Sequence, residues 1–237
     1  MNNVNKKYRH ELKFLTQERI LFYLEQKTNH LLKKDMHVGE KGFYNIRSLY
    51  FDDMYNSCYF ENENGTDPRE KFRIRIYNGD SSRIQLELKQ KQNSKCYKSS
   101  TPISYERCVR LLEGKSLDVN DNDTYLYKKF YLQTKLRNLK PAVIVDYNRV
   151  PYIWNQGNVR ITFDRDIKSS FDYHNFFKKS VIGRPILRSY ANLLEVKFDE
   201  FLPDFIYEIL QTGELTQTAF SKYYLCRKYN PKGLQIK

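Results

Sequence analysis

The residues Lys71-Phe72-Arg73-Ile74-Arg75-Ile76 alternate strictly, so an extended chain puts Lys71, Arg73 and Arg75 on one face and the apolar residues on the other. Four more runs repeat the pattern. Gln85, Glu87, Lys89 and Lys91 oppose Ile84, Leu86 and Leu88, and Arg160, Thr162 and Asp164 oppose Val159, Ile161 and Phe163. Glu195, Lys197 and Asp199 oppose Leu194, Val196 and Phe198, while Arg9, Glu11 and Lys13 oppose His10, Leu12 and Phe14. Arginine presents a flat fork that matches phosphate oxygens, and lysine a mobile point charge. A chain of phosphates is the ligand these faces suit. The minority carboxylates Glu11, Glu87 and Glu195 suit a divalent metal that bridges phosphate oxygens. The sequence has no P-loop, no Gly-x-Gly-x-x-Gly and no nucleophile elbow. Catalysis would then come from positioning and charge neutralisation, which phosphoryl transfer accepts.

A single strand of this kind ordinarily keeps its charged face in water. Five together read differently, because the intervening helices need an apolar surface to pack on. If the sheet closes into a barrel with its apolar side outward, the charged faces line a lumen. Crowded cations there repel one another when the lumen is empty. A polyanion relieves that repulsion.

Composition agrees. The 237 residues carry 41 Lys and Arg against 28 Asp and Glu, a formal charge of +13, which points to an anionic partner. Hydrophobic residues at 40% and aromatics at 15% exclude a disordered chain. The runs Tyr44 to Asp52 and Ala142 to Arg149 read as fuller strands. Helices are predicted after Thr16 as N-cap, over Asp123 to Asn138, and from Pro203 onward. Glu61 to Asp67 reads as a hairpin loop. Strands outnumber helices without regular alternation, which predicts an α+β fold. The expected architecture is a closed antiparallel β-barrel with a charged lumen and helices outside, as one domain over residues 1–237. No apolar run is long enough to span a bilayer. Met1 to Tyr8 has no apolar stretch behind its lysines, and Cys58, Cys96, Cys108 and Cys226 are scattered. Reduced thiols and a cytoplasmic location are therefore expected. The four histidines have no ligand spacing, which argues against zinc.

Several of these segments resemble one known family. They are Arg9-His10-Glu11-Leu12-Lys13, Leu49-Tyr50-Phe51-Asp52, the Arg73/Arg75 run, Leu86-Glu87-Leu88-Lys89, Val159 to Asp164, Leu194-Glu195-Val196-Lys197 and Phe220-Ser221-Lys222-Tyr223. In order and content they look like the vacuolar transporter chaperone (VTC) domain, a polyphosphate polymerase branch of the triphosphate tunnel metalloenzymes. The resemblance implies a basic tunnel in which the γ-phosphate of ATP is added to inorganic polyphosphate. The implied cofactor is a divalent ion, Mn2+ first and Mg2+ second.

Carried over by position, the resemblance assigns phosphate contacts to Lys13, Arg73, Arg75, Lys89, Lys98, Arg149, Arg160, Lys197 and Lys222. It assigns the metal to Glu195. Glu11 and Glu87 are implied tunnel carboxylates, orienting cations or holding a second metal, and Arg9, Lys91, Lys95 and Ser221 stand nearby. Superfamily members that hydrolyse triphosphates begin with Glu-x-Glu-x-Lys. Arg9 here replaces the first carboxylate with a cation, which favours polymer binding. Expected partners are ATP and polyphosphate or pyrophosphate, with no nucleic acid and with a separate membrane partner if the polymer is exported. A tunnel triphosphatase and a non-enzymatic polyphosphate-binding module remain the alternatives.

Overall fold

The computed structural model describes residues 8–188 and 191–229; residues 1–7, 189–190 and 230–237 of the expected domain lie outside the described residues. The chain runs through β1 (His10–Gln17), α1 (Glu18–Leu31), the short β2 (Lys33–Lys34), β3 (Tyr44–Asp52) and α2 (Ser57–Glu63). A meander of β4 (Arg69–Tyr77), β5 (Asp80–Gln92) and β6 (Lys95–Pro102) follows, then α3 (Tyr105–Leu112) and α4 (Tyr125–Leu136). After these come β7 (Lys140–Trp154), β8 (Val159–Ser170), β9 (Arg184–Pro185), β10 (Ala191–Phe198), α5 (Asp204–Leu210) and α6 (Lys222–Lys228). Every alternating run of the sequence lies on a strand, with Arg9 and Asp199 just beyond the ends of β1 and β10.

The strands form one antiparallel sheet in the order β1-β10-β8-β7-β3-β4-β5-β6, with β2 beside β7 and β9 beside β8. The fold is α+β, as expected. The closed barrel is not what forms. The sheet curls into a half-barrel whose edge strands meet at a single bridge, Arg9 N to Cys96 O at 2.9 Å and Cys96 N to Arg9 O at 3.0 Å. Continuing that register would pair Glu11 with Ser94. Ser94 and Asn93 instead make the β5–β6 turn, both with positive φ. Further along, β1 is already occupied: Thr218 N donates to Lys13 O at 2.9 Å and Phe14 bridges Gln217.

Apolar residues of the convex face are covered in two places. Leu49, Phe51, Phe72, Ile74, Leu86 and Leu88 pack under Leu111 of α3 and Phe130 of α4. Ile161, Phe163, Leu194 and Val196 pack under Leu21 and Leu24 of α1 and Ile206 of α5. Each such buried side chain contributes about 1.5–3 kcal/mol, so the pattern that sends these residues outward also fixes the charged residues inward.

Among the described residues six α-helices flank the sheet, as expected. α6, with α2 beside it, lies on the concave side, where Tyr223 and Cys226 pack with Val143, Val145, Tyr147 and Leu193. Those strand residues share the face of Arg149 and Glu195, so one part of the concavity is apolar and needs a cover.

Three local expectations also shift. Thr16 pairs with Asn192 in β1, which leaves Gln17 as the cap of α1. Pro203 is the N-cap residue of α5 rather than its first turn. The stretch Glu61 to Asp67 begins inside α2, whose first amides are held by the end of β3: Cys58 N donates to Asp52 Oδ1 and Ser57 N to Asp53 Oδ1, both at 2.9 Å. Among the described residues no helix is long and apolar enough to cross a membrane.

Candidate functional site: a basic concave face

Three buried carboxylate centres organise the concave face. The first is Glu87, directly opposite Arg73 on the neighbouring strand. Arg73 Nε and Nη2 reach Glu87 Oε2 at 2.7 and 2.6 Å, and Lys98 Nζ reaches Oε1 at 2.9 Å. Burial would raise the Glu87 carboxyl, but Arg73, Arg75 and Lys98 outweigh it and hold it well below the usual carboxylate range. Arg73 Nη1 donates to the Tyr50 hydroxyl at 2.7 Å. Arg75 is held differently. Its Nε donates to Ser48 Oγ at 3.0 Å, and the nearest Glu87 oxygen lies at 3.8 Å. Arg75 Nη2 donates to the Tyr147 hydroxyl at 3.5 Å, and among the described residues no carboxylate lies within hydrogen-bond distance of this guanidinium.

The second centre joins β1 and β10, where Glu11 is paired with Lys197 and Lys13 with Glu195. The Glu11 and Glu195 carboxyl groups are close enough to influence each other's ionisation, each with a side chain 5% exposed. Lys13 and Lys89 approach Glu11 at 3.2 and 2.8 Å, and Lys197 approaches Glu195 at 2.7 Å. Burial opposes ionisation at Glu11, yet Lys13, Lys89 and Lys197 hold it well below the usual range. Burial pulls Lys197 down to about 8, against the opposing effects of Glu195 and Glu11.

The third centre is Asp164, which accepts from Arg149 Nε and Nη2 at 2.6 and 2.7 Å and lies 2.7 Å from Lys222 Nζ. Arg149 and Lys222 also approach Glu195, at 3.5 and 3.8 Å, linking the second and third centres. The Tyr147 ring faces both cations at 5.3 and 4.7 Å.

Lys13, Arg73, Arg75, Lys89, Lys98, Arg149, Lys197 and Lys222 are therefore gathered on one face with Glu11, Glu87 and Glu195. Arg160 lies on the same face, its Nη2 donating to Asp35 Oδ2 at 2.7 Å and to the Tyr44 hydroxyl at 2.8 Å. Glu87 orients cations. Its oxygens are already taken by Arg73 and Lys98.

The remaining sequence candidates sit at the margins. Arg9 pairs with Asp199 at 2.9 Å and donates to the Asn158 carbonyl. Lys91 is half-buried opposite Arg69 and Cys96, and Lys95 is exposed at the start of β6. Ser221 caps α6, its Oγ accepting from Tyr224 N at 3.3 Å. Sequence reasoning assigned no role to Asp164, Tyr50, Tyr147 or Lys71. For Asp164 and Lys71 the strand alternation already put them on the charged face; the tyrosines carry no such signal.

A family model described as the VTC domain matches residues 8–229. No curated protein matches the chain. Among solved structures, the chain is similar to a candidate adenylate cyclase from Bacillus halodurans, with a TM-score of 0.53 and 16% identity over 91% of this chain and 94% of that one. It is also similar to a Hippeastrum protein, a candidate adenylyl cyclase with a dominant triphosphatase activity. That match has a TM-score of 0.53 and 12% identity over 94% of this chain and 95% of that one. At such identities these structures show a shared fold alone. The family match spans nearly the whole chain, and the chain belongs to the VTC domain family.

Proposed function

We propose that the concave face binds a chain of phosphates and transfers the γ-phosphoryl group of ATP onto a growing inorganic polyphosphate. The observation that carries this reading is Arg75, a buried guanidinium with, among the described residues, no carboxylate at hydrogen-bond distance, beside cations that outnumber the carboxylates around them. In the transfer, a terminal oxygen of the acceptor chain attacks the γ-phosphorus. The bond to the β–γ bridging oxygen breaks, its electron pair leaves with ADP, and the acceptor gains one phosphate. The attacking oxygen is already anionic, so no general base is required. Arg73, Arg75, Lys89 and Lys98 are placed to hold one phosphate group, and Arg149, Lys197 and Lys222 another, their positions fixed by Glu87, Glu11 and Asp164.

The donor set fits a divalent ion. Two neighbouring buried carboxyl groups, Glu11 and Glu195, are neutralised by Lys13, Lys89 and Lys197, and a divalent ion would share that role. One or two carboxylates, completed by water and phosphate oxygens, make an ordinary site for Mg2+ or Mn2+. Such an ion would neutralise charge on the transferred group.

The same face suits hydrolysis of a triphosphate, the activity named for the Hippeastrum protein. Incubation with ATP and Mn2+, followed by gel resolution of the products, separates the two readings. Long polyphosphate supports the polymerase, and orthophosphate without chains supports the triphosphatase.

A further inference from the structure

Lys71 stands directly opposite Lys89 on β5, and Lys89 directly opposite Lys98 on β6. Like charges at directly paired positions destabilise a sheet unless each is neutralised. Two of the three are. Lys89 has Glu11 at 2.8 Å and Lys98 has Glu87 at 2.9 Å. Lys71 has only the neutral Asn62 of α2, whose Oδ1 accepts from its Nζ at 2.7 Å, and the Tyr223 ring of α6 at 4.9 Å. Among the described residues no carboxylate lies within 4.0 Å of this ammonium.

The charged groups around it are mostly of its own sign: Arg69 on β4, Lys89 on β5 and Lys13 on β1. From α2 come the Cys58 thiol and, at longer range, Glu61; the α6 hydroxyl of Tyr223 is engaged by Asp52. Burial and then Arg69 and Lys89 pull the ammonium down to about 7. A cation in such surroundings is incomplete without an anion.

We propose that Lys71 is a further phosphate-binding residue, where α2 and α6 close the concave face, and that it takes up a proton from solvent when the phosphate chain arrives. The inference rests on the phosphate-binding reading above and adds to it a ligand contact and a coupling to pH. A phosphate group beside Lys71 favours the ammonium form, so binding draws one proton as long as the free side chain is neutral. Above about pH 7 the affinity then falls by up to about tenfold per pH unit through this residue.

Calorimetric titration with inorganic tripolyphosphate, without added metal, tests this in two buffers of different ionisation enthalpy near pH 8. The wild type, Lys71→Arg and Lys71→Met are compared. The wild type is expected to take up about one proton more than either variant. Lys71→Arg, permanently charged, keeps affinity within about threefold, and Lys71→Met loses about tenfold. Thermal melts check that both variants fold. Equal proton uptake in all three proteins, or wild-type affinity in Lys71→Met, overturns the proposal. A wild type that binds no tripolyphosphate overturns the phosphate-binding reading itself, and this proposal with it.

Discussion

Arg149 and Asp164 stand directly opposite each other on β7 and β8, and the fully buried aspartate accepts from both Nε and Nη2 of the arginine. Asp164 therefore sets the direction of a guanidinium that faces the proposed phosphate path, and it holds Lys222 of α6 with its other contact. The same residue fastens the cover helix to the sheet. Removing it would leave two buried cations unpaired. Asp164→Ala is expected to cost about 3–5 kcal/mol in urea unfolding, where a solvent-facing aspartate would change stability by about 0.5 kcal/mol or less.

Arg73 and Arg75 differ in their partners, and their variants should differ accordingly. Arg73 is tied to Glu87 by two short contacts and to Tyr50 by a third, whereas Arg75 donates to the neutral hydroxyls of Ser48 and Tyr147. Arg73→Ala should lower stability by roughly twice as much as Arg75→Ala, because it strips a buried carboxylate of its main partner. Arg75→Ala should still weaken tripolyphosphate binding about tenfold or more. Melting curves and calorimetric titrations on the same preparations measure both effects.

The buried carboxylates make stability sensitive to acid. In the folded protein Glu87, Glu11 and Asp164 are all held below their usual range by neighbouring cations despite burial. A carboxyl group with a depressed folded pKa contributes stability above its unfolded pKa and loses that contribution as pH falls. Through these carboxylates urea midpoints should drop below about pH 4. Glu87→Gln should start from lower stability at neutral pH and show a shallower drop.

Metal removal should separate turnover from anion binding. A chelator is expected to abolish phosphoryl transfer while leaving metal-free tripolyphosphate bound by the arginines and lysines. Glu195→Gln should raise the Mn2+ concentration needed for half-maximal turnover by about tenfold or more. A metal titration of initial rates measures this shift.

Much of the sheet was legible because its signal is local. Charge alternating with apolar residues at period two gives the strand, its face and its neighbours' demand for cover, as in Phe72 to Ile76 and Leu194 to Phe198. What the alternation does not encode is where a ladder stops. Closure between β1 and β6 fails because the partner due to Glu11 falls on the Asn93-Ser94 turn, a long-range coincidence of register. The cover by α6 was hidden for a similar reason. Tyr147, Val145 and Leu193 read as ordinary strand residues until folding places them on the concave side. Asp52 and Asp53 close β3 in sequence, but their use in holding the start of α2 appears only when the chain doubles back. At the site, Arg73/Arg75 and Glu195/Lys197 were visible as motifs, whereas the pairing of Asp164 with Arg149 depends on which strands become neighbours.

In the proposed reaction this face moves the γ-phosphate of ATP to a phosphate acceptor. The most direct measurement follows γ-labelled ATP with Mn2+ by thin-layer chromatography, using wild type and Arg75→Ala. Label accumulating in polymer retained at the origin, with the signal lost in Arg75→Ala, is the predicted result. Label released only as orthophosphate, or only as pyrophosphate, would contradict it.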